Sequence, residues 1–432
     1  MLFEIITTTV AAGLVGLSYF KNSELDDGEK IKKIAVNCGL YVKEGEEIKT
    51  IQLYRKETRE WGKEYVYRIP LGLSFNDFEK RLSNLRDGIN NRKGIIDWNI
   101  IKKIQYKKGL IHQLKEMMGN RYISDKDVEL SFDGMLHIKV LDRHLPSKYD
   151  FEVNVLSKED NWKVPLGESR YGFVNHDLEA GHITLAGATR KGKTVFLKLL
   201  ITSLILKQPD KVKLTLIDLK GGLAFTRFKN AKQVEEVATN LDESLRALIR
   251  IKKEMDNQKE WMDQHGCEDI KEARLGTRHF IVVDEAAQIS PHILTNKEEK
   301  EKAKKCEEAL SEIARIGAGL GYRLIYCSQY PTADVMNKQI KQNCDTVITF
   351  KLRDAVASRV VLDESGAEKL EVAGRAIYKT PDGTKIVHTP FITNGQIEAL
   401  IAPHIVNKVQ KEELRLEKPK EVGGNTFKFE EM

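Results

Sequence analysis

The chain has 432 residues, with 70 Lys and Arg against 64 Asp and Glu, which gives a formal net charge of +6. Hydrophobic residues make up 41% of it and charged residues 31%, a balance that excludes a disordered chain and a membrane protein with many spans. This length predicts two or three domains, and five scattered cysteines without a Cys-x-x-Cys pair favour a reducing cytosol over a disulfide framework or a zinc site.

The first predicted element is an uncharged run, Ile5–Phe20, which reads IITTTVAAGLVGLSYF. A bilayer is spanned by about 20 apolar residues, so this run is near the minimum length. The aromatic pair at its end and the lysines beyond it favour a single-pass membrane anchor over residues 1–21, with the bulk of the chain on the cytoplasmic side. The alternative is a buried N-terminal helix and a cytoplasmic protein. A secretory signal is not favoured, because Glu4 stands where such a signal would carry basic residues.

Residues 30–148 predict a small α+β module without any motif that indicates chemistry. The sequence 31–55 suggests two short strands, IKKIAV and LYV, and Tyr65–Pro70 suggests a third. Val128–Leu141 predicts a hairpin, because Asp133-Gly134 is flanked by alternating apolar residues.

Two helices are predicted in the same module. The first is capped by Ser74 or Asn76, runs to about Arg86, and is closed by Asp87-Gly88. The second, around Trp98–Met118, is basic on its polar side, which we interpret as a solvated face and not as a nucleic-acid surface.

From about Tyr149 apolar strands alternate with amphipathic helices, which is typical of a parallel sheet with helices on both faces. This α/β domain is predicted over residues 149–395, and a C-terminal helix and charged tail over 396–432. The predicted strands are His182–Ala186, Lys213–Asp218, Phe280–Asp284, Arg323–Ser328, Thr346–Lys351 and Arg375–Tyr378.

The first of these strands leads into GATRKGKT and then into an apolar helix, so the motif G-x-x-x-x-G-K-[ST] lies in its strand–loop–helix context. Such a loop binds the phosphates of ATP through its amides and the helix N-terminus. Lys193 is predicted to reach the β and γ phosphates, and the Thr194 hydroxyl to ligate Mg²⁺. The predicted nucleotide-binding residues are Gly187, Ala188, Thr189, Arg190, Lys191, Gly192, Lys193 and Thr194.

A second motif, Phe280-Ile-Val-Val-Asp284-Glu285, ends a buried strand with two carboxylates. Asp284 is predicted to hold the metal at the carboxyl end of the sheet, where ligands of open α/β sheets bind. Glu285 is predicted to orient or deprotonate the attacking water, which makes the chain a hydrolase. The alternative for Asp284 is a helix N-cap.

Two further residues are candidate catalytic groups. Gln329 ends the strand LIYCSQ, where a polar side chain can contact the γ-phosphate or the water, although an ordinary strand-end glutamine fits equally well. Arg359 could sense the γ-phosphate, although an arginine in this setting is more often on a helix surface.

From about Trp162 to Thr393 the sequence resembles the FtsK/SpoIIIE family of ring-forming DNA translocases. The resemblance implies a RecA/FtsK-like P-loop NTPase fold, with Gln329 as a sensor and Arg359 near the γ-phosphate. The matching segments are HITLAGATRKGKT, LTLIDLKGG, FIVVDEAAQI, IARIGAGLGYRLIYCSQYPTADV, ASRVVLDESGAEKL and GRAIYKTPDGTKIVHTPFI.

One departure from the family concerns the arginine that reaches the neighbouring subunit's nucleotide in the pattern A-R-x-G-R-A-x-G. This sequence has Arg315-Ile-Gly317-Ala318-Gly319, so the second arginine is missing. Arg315 or Arg323 is the candidate substitute.

The segment YRIPLGLSFNDFEKRLSNLRDGIN is similar to the coupling proteins of Gram-positive conjugative elements. Only about forty residues follow Ile392, so we expect no winged-helix domain after the motor. The resemblance implies a homo-hexameric DNA translocase that binds DNA largely independently of sequence and acts with a relaxase and secretion-channel proteins. The alternative is a protein-export motor of the type VII secretion kind.

Overall fold

The computed structural model describes residues 26–90, 126–142, 145–156 and 162–407. It divides the chain into two compact units, residues 1–144 and 145–432. The predicted anchor at 1–21, the predicted helix Trp98–Met118 and the tail beyond 407 lie outside the described residues. Within the described ranges no helix is long and apolar enough to cross a membrane.

The first unit contains a four-stranded antiparallel sheet in the order β3-β4-β6-β5, a two-stranded ribbon β1-β2, and short helices. The predicted hairpin is confirmed, because β5 and β6 pair antiparallel across residues 133–135. The elements are α1 Asp27–Asn37, β1 Val42–Glu44, β2 Glu47–Lys49, β3 Gln52–Arg59, β4 Gly62–Arg68, α2 Phe75–Glu79, α3 Leu82–Ile89, β5 Asp127–Phe132 and β6 Leu136–Leu141.

The prediction that IKKIAV forms a strand is wrong, since these residues belong to α1. The apolar positions Ile31, Ile34 and Ala35 are spaced by three and four residues, which places them on one face of a helix. Ile31 and Ala35 are fully buried in the core of this unit. The helix ends just before Gly39, whose φ of +79° a residue with a side chain rarely adopts.

The single helix predicted from Ser74 to Arg86 is two helices, α2 and α3. Ser74 is the N-cap of α2, and the backbone N–H of Ser74 donates a hydrogen bond to the Asp77 carboxylate at 2.8 Å. Gly88 does not close α3 but lies inside it. A Cβ on Gly88 would sit 2.6 Å from Ile34 Cδ1 of α1. The glycine therefore permits α1 and α3 to approach closely.

The second unit contains one ten-stranded sheet in the order β11-β10-β12-β13-β9-β14-β15-β16-β7-β8. Its elements are β7 Lys163–Ser169, β8 Gly172–Asp177, β9 Ile183–Ala186, α4 Lys193–Lys207, β10 Val212–Ile217, β11 Val234–Ala238, α5 Leu241–Gln264, β12 Arg278–Val283, α6 Lys297–Ile316, β13 Tyr322–Ser328, α7 Lys338–Gln342, β14 Thr346–Phe350, α8 Ala355–Leu362, β15 Arg375–Thr380, β16 Gly383–His388 and α9 Asn394–Ile401.

The strands from β11 to β14 in this order are parallel, as predicted for the motor domain. The prediction that Arg375–Tyr378 continues the parallel sheet is wrong, because β15 runs antiparallel to β14. Residues 351–374 bring the chain back to the carboxyl end of β14, where Phe350 pairs with Ala376. Because β15 starts at that end, it runs antiparallel to β14. β16, β7 and β8 extend this antiparallel part.

Helices cover both faces of the parallel strands. On one face α4 contributes Phe196 and Leu200 to a core with Leu185 of β9. On the other face α5 and α6 contribute Leu248 and Leu310 to a second core, which includes Ala186 of the same strand. Burial of each leucine contributes about 2 kcal/mol. β9 is thus buried on both sides, which fixes the position of its carboxyl end.

Candidate nucleotide-binding and hydrolysis site

The loop 187–192 connects the carboxyl end of β9 to the N-terminus of α4, and two of its glycines lie against one aromatic ring. A Cβ on Gly187 would sit 2.7 Å from Phe350 Cβ, and one on Gly192 would sit 2.9 Å from Phe350 Cε1. Gly192 also has a φ of +120°. Phe350, the last residue of β14, therefore packs against the loop and leaves no room for a side chain at either glycine.

Hydrogen bonds from neighbouring strand ends fix the path of this loop. The N–H of Gly187 donates to Ser328 O at 3.2 Å, and the N–H of Ala188 donates to Lys351 O at 2.9 Å. At the far end the N–H of Gly374 donates to Lys191 O at 2.9 Å. The first amides of α4 have no acceptor within the helix, so a 15-residue helix directs its positive end at this loop. This cradle fits a chain of phosphates.

Lys193 and Asp284 form a buried ion pair at the start of α4. Lys193 Nζ donates to Asp284 Oδ1 at 2.9 Å and to Asp284 O at 2.5 Å. Burial alone would lower the pKa of the lysine, but the carboxylates of Asp284 and Glu285 outweigh it and hold the pKa above its usual value. The ammonium group is therefore charged and available to a phosphate.

Glu285 follows Asp284 at the carboxyl end of β12, and its carboxylate accepts several hydrogen bonds. Oε1 accepts from Ser328 Oγ at 3.3 Å and from the N–H of Gln329 at 3.1 Å. Oε2 accepts from Lys220 Nζ at 3.0 Å. The Gln329 side chain in turn accepts from Thr189 Oγ1 of the phosphate-binding loop at 3.2 Å. Three of the predicted site residues, Glu285, Gln329 and Thr189, are thus linked by hydrogen bonds across three strand ends.

Lys220, Ser328 and Phe350 were not among the predicted site residues, although all three contact them. Lys220 stands in the segment LTLIDLKGG, so its motif was visible in the sequence but its partner was not. Ser328 and Phe350 end buried parallel strands, and that position was the available signal, because the carboxyl ends of such strands meet at one edge.

The structure does not bring Arg359 into this network. Arg359 is exposed on α8, and the described residues that bond to Glu285 do not include it. Of the two candidate substitutes for the missing arginine, Arg323 is the buried one. Its guanidinium is buried at the amino end of β13, where it donates to Leu178 O at 2.9 Å and to Ala318 O at 2.7 Å. The Arg315 side chain is 64% exposed and remains accessible.

Oxygen ligands for a divalent cation are present at this site. Among the residues that the structure describes, no group of three His, Cys, Asp or Glu could hold a metal by itself. Mg²⁺ does not need such a group in nucleotide sites, because it uses one or two protein oxygens together with phosphates and waters. The hydroxyl of Thr194, in the first turn of α4, and the carboxylate of Asp284 fit this requirement.

The model of the FtsK/SpoIIIE family matches residues 160–396, which is more than half of the chain. The chain belongs to the FtsK/SpoIIIE family. Among curated relatives of this FtsK/SpoIIIE chain, the DNA translocase FtsK of Chlorobaculum tepidum is 30% identical over 258 residues, 55% of this chain and 31% of the relative. The DNA translocase FtsK of Streptococcus agalactiae serotype V is 28% identical over 262 residues, 58% of this chain and 32% of the relative. The chain thus spans about a third of the length of these relatives.

Solved structures share the fold of this FtsK/SpoIIIE protein at low sequence identity. The pCW3 conjugation coupling protein TcpA, in a monomer form with ATPγS, aligns with a TM-score of 0.58 and 19% identity over 87% of this chain and 99% of its own. The cytoplasmic domain of the Thermomonospora curvata type VII secretion ATPase EccC aligns with a TM-score of 0.50 and 21% identity over 60% of this chain and 33% of its own. The second unit is therefore a P-loop ATPase of α/β fold, as predicted.

Proposed function

We propose that this chain is an ATP-driven DNA translocase that acts as a coupling protein in conjugative DNA transfer. The observation that carries the proposal is the meeting of the phosphate-binding loop, the Lys193–Asp284 pair and Glu285 at one edge of an FtsK/SpoIIIE sheet. The fold shared with TcpA over 87% of the chain supports the coupling role, because that protein is described as a conjugation coupling protein.

The proposed chemistry is hydrolysis of the γ-phosphate of ATP. Lys193 leaves Asp284 to contact the phosphate, which exchanges one anionic partner for another. Thr194 and Asp284 would hold Mg²⁺, which when bound would neutralise charge on the phosphate oxygens. Glu285 orients the attacking water and accepts its proton, and Gln329 fixes the Glu285 carboxylate through its backbone N–H.

The proposed substrate is double-stranded DNA, bound through its phosphates and largely independently of sequence. In a homo-hexameric ring each subunit needs to contribute only a few cations to one channel, so a net charge of +6 is sufficient. Arg359 and the exposed Arg315 are the arginines proposed to act near the nucleotide. A relaxase and secretion-channel proteins are proposed partners, and residues 1–21 are proposed to anchor the chain in the cell membrane.

A protein-export motor is the second candidate function. EccC, named as a type VII secretion ATPase, shares the fold over 60% of this chain. The two candidates differ in the polymer that should stimulate the ATPase, since a polypeptide offers no phosphates.

We expect double-stranded DNA to raise the rate of ATP hydrolysis, with the stimulation falling as salt rises, because phosphate contacts release counterions. The measurement is phosphate release at several salt concentrations with and without DNA, and Lys193→Ala should show no turnover under any condition. Turnover that is indifferent to DNA but stimulated by a secreted protein would contradict DNA translocation and favour export.

A further inference from the structure

A short loop after β10 carries Lys220 and is held at both ends by one buried carboxylate. Asp218 is only 1% exposed. Its Oδ1 accepts from the N–H of Lys220 at 3.1 Å, and its Oδ2 accepts from the N–H of Ala224 at 2.8 Å. Gly221 and Gly222, with φ of +85° and +73°, permit the tight path between them. Leu223 lies at the tip of this loop and is 78% exposed. The loop thus has a fixed base and a solvent-facing tip.

The side chain of Lys220 reaches from this loop to Glu285. Its Nζ lies 3.0 Å from Glu285 Oε2, and the lysine side chain is 35% exposed whereas that of Glu285 is 2% exposed. Together with Ser328 and Gln329 it supplies donors to both carboxylate oxygens. A general base must direct a lone pair at the water that it activates. In the observed geometry the carboxylate faces protein donors.

We propose that Lys220 is a positioning residue that restrains Glu285 in a resting geometry, and that contact between DNA and the loop 219–224 releases the restraint. This inference rests on the proposed function, because it names DNA as the polymer that triggers hydrolysis. It couples binding of the polymer to hydrolysis through one lysine.

The exchange of Glu285 for a phosphate as the partner of Lys220 costs little free energy. A lysine ammonium is a compact charge on a flexible stem, so it can change partners without moving the backbone far. A DNA phosphate beside the partly exposed side chain of Lys220 gives the lysine a new anionic partner as it leaves Glu285, and the lysine remains paired. The buried carboxylate is then free to face a water. A polymer without negative charges offers Lys220 no replacement partner.

The test is Lys220→Gln, which removes the charge and leaves a polar side chain that is one bond shorter. We expect the rate of ATP hydrolysis without DNA to rise about tenfold, the rate equivalent of one hydrogen bond to a charged group. The ratio of the DNA-stimulated rate to the basal rate should fall towards one, and equilibrium binding of ATP should be unchanged. Lys220→Arg retains a positive charge and should keep the basal rate low.

The matched control is Lys232→Gln, because Lys232 also pairs with a carboxylate, Asp210 at 3.1 Å, but on the exposed surface. It should leave both rates unchanged. If Lys220→Gln lowers the basal and stimulated rates in proportion, or alters neither, Lys220 does not restrain Glu285 and the proposal is overturned. If the wild type ignores DNA while Lys220→Gln still raises the basal rate, the restraint stands and DNA as its release, with the proposed function, is refuted.

Discussion

Phe350 shows how one side chain decides the shape of the nucleotide site. Its ring lies beneath the phosphate-binding loop and also packs on Phe196 of α4, with ring centroids 6.0 Å apart. Because both loop glycines would clash with it through a Cβ, the curvature of the loop depends on this contact. The glycines of the motif are therefore required by packing as well as by backbone angle.

Gly192→Ala should weaken nucleotide binding and lower the stability of the second unit. A φ of +120° costs a residue with a Cβ about 1–2 kcal/mol, and the added methyl would lie 2.9 Å from Phe350. The measurements are the dissociation constant for ATP and the midpoint of thermal unfolding. Gly395→Ala is the control, because nothing lies within 4 Å of a Cβ at that position. Equal effects of the two substitutions would contradict the steric account.

At the scale of elements, a buried histidine links the two ends of the antiparallel part of the sheet. His176 of β8 lies with its Nδ1 2.9 Å from the hydroxyl of Tyr378 in β15. Burial lowers the pKa of this histidine from 6.5 to about 4. The folded chain therefore holds His176 neutral over a pH range in which the unfolded chain binds a proton there.

This difference predicts acid sensitivity. The contribution of His176 to the free energy of unfolding is complete above about pH 6.5 and is lost as the pH falls from there to about 4. The loss amounts to up to about 3 kcal/mol. His176→Asn should reduce the change in free energy of unfolding between pH 7 and pH 4.5, as measured by denaturant titration. His292→Asn, at an exposed position, is the control. An unchanged pH dependence in His176→Asn would show that another group dominates acid unfolding.

The five central parallel strands could be predicted within one or two residues because they are largely buried and read as apolar runs. The edge strand β11 was missed, since its middle residues are only half-buried. The phosphate-binding motif and Asp284-Glu285 follow such strands, so their meeting at one edge was also predictable. The antiparallel extension was harder to predict, since β16 reads GTKIVH and is exposed over most of its length. The pairing of Lys220 with Glu285 joins residues 65 positions apart, and no local pattern indicates it.

At the scale of the whole molecule, the chain combines a small α+β unit with one P-loop ATPase unit. The family membership covers the second unit, and the shared fold with TcpA extends over 87% of the chain. A single ATPase module cannot move a polymer by itself unless its nucleotide cycle is linked to polymer contacts. In our proposal, contact between DNA and the loop 219–224 supplies this link.

The central claim is that ATP hydrolysis at Glu285 drives movement along DNA. Displacement of a third strand from a duplex DNA substrate tests it most directly, because only a protein that moves along the duplex removes the strand. We predict ATP-dependent displacement by the full chain and none by Glu285→Gln, which should still bind ATP because Glu285 is not part of the phosphate cradle. Hydrolysis of ATP by the wild type without any displacement of the third strand would contradict the account.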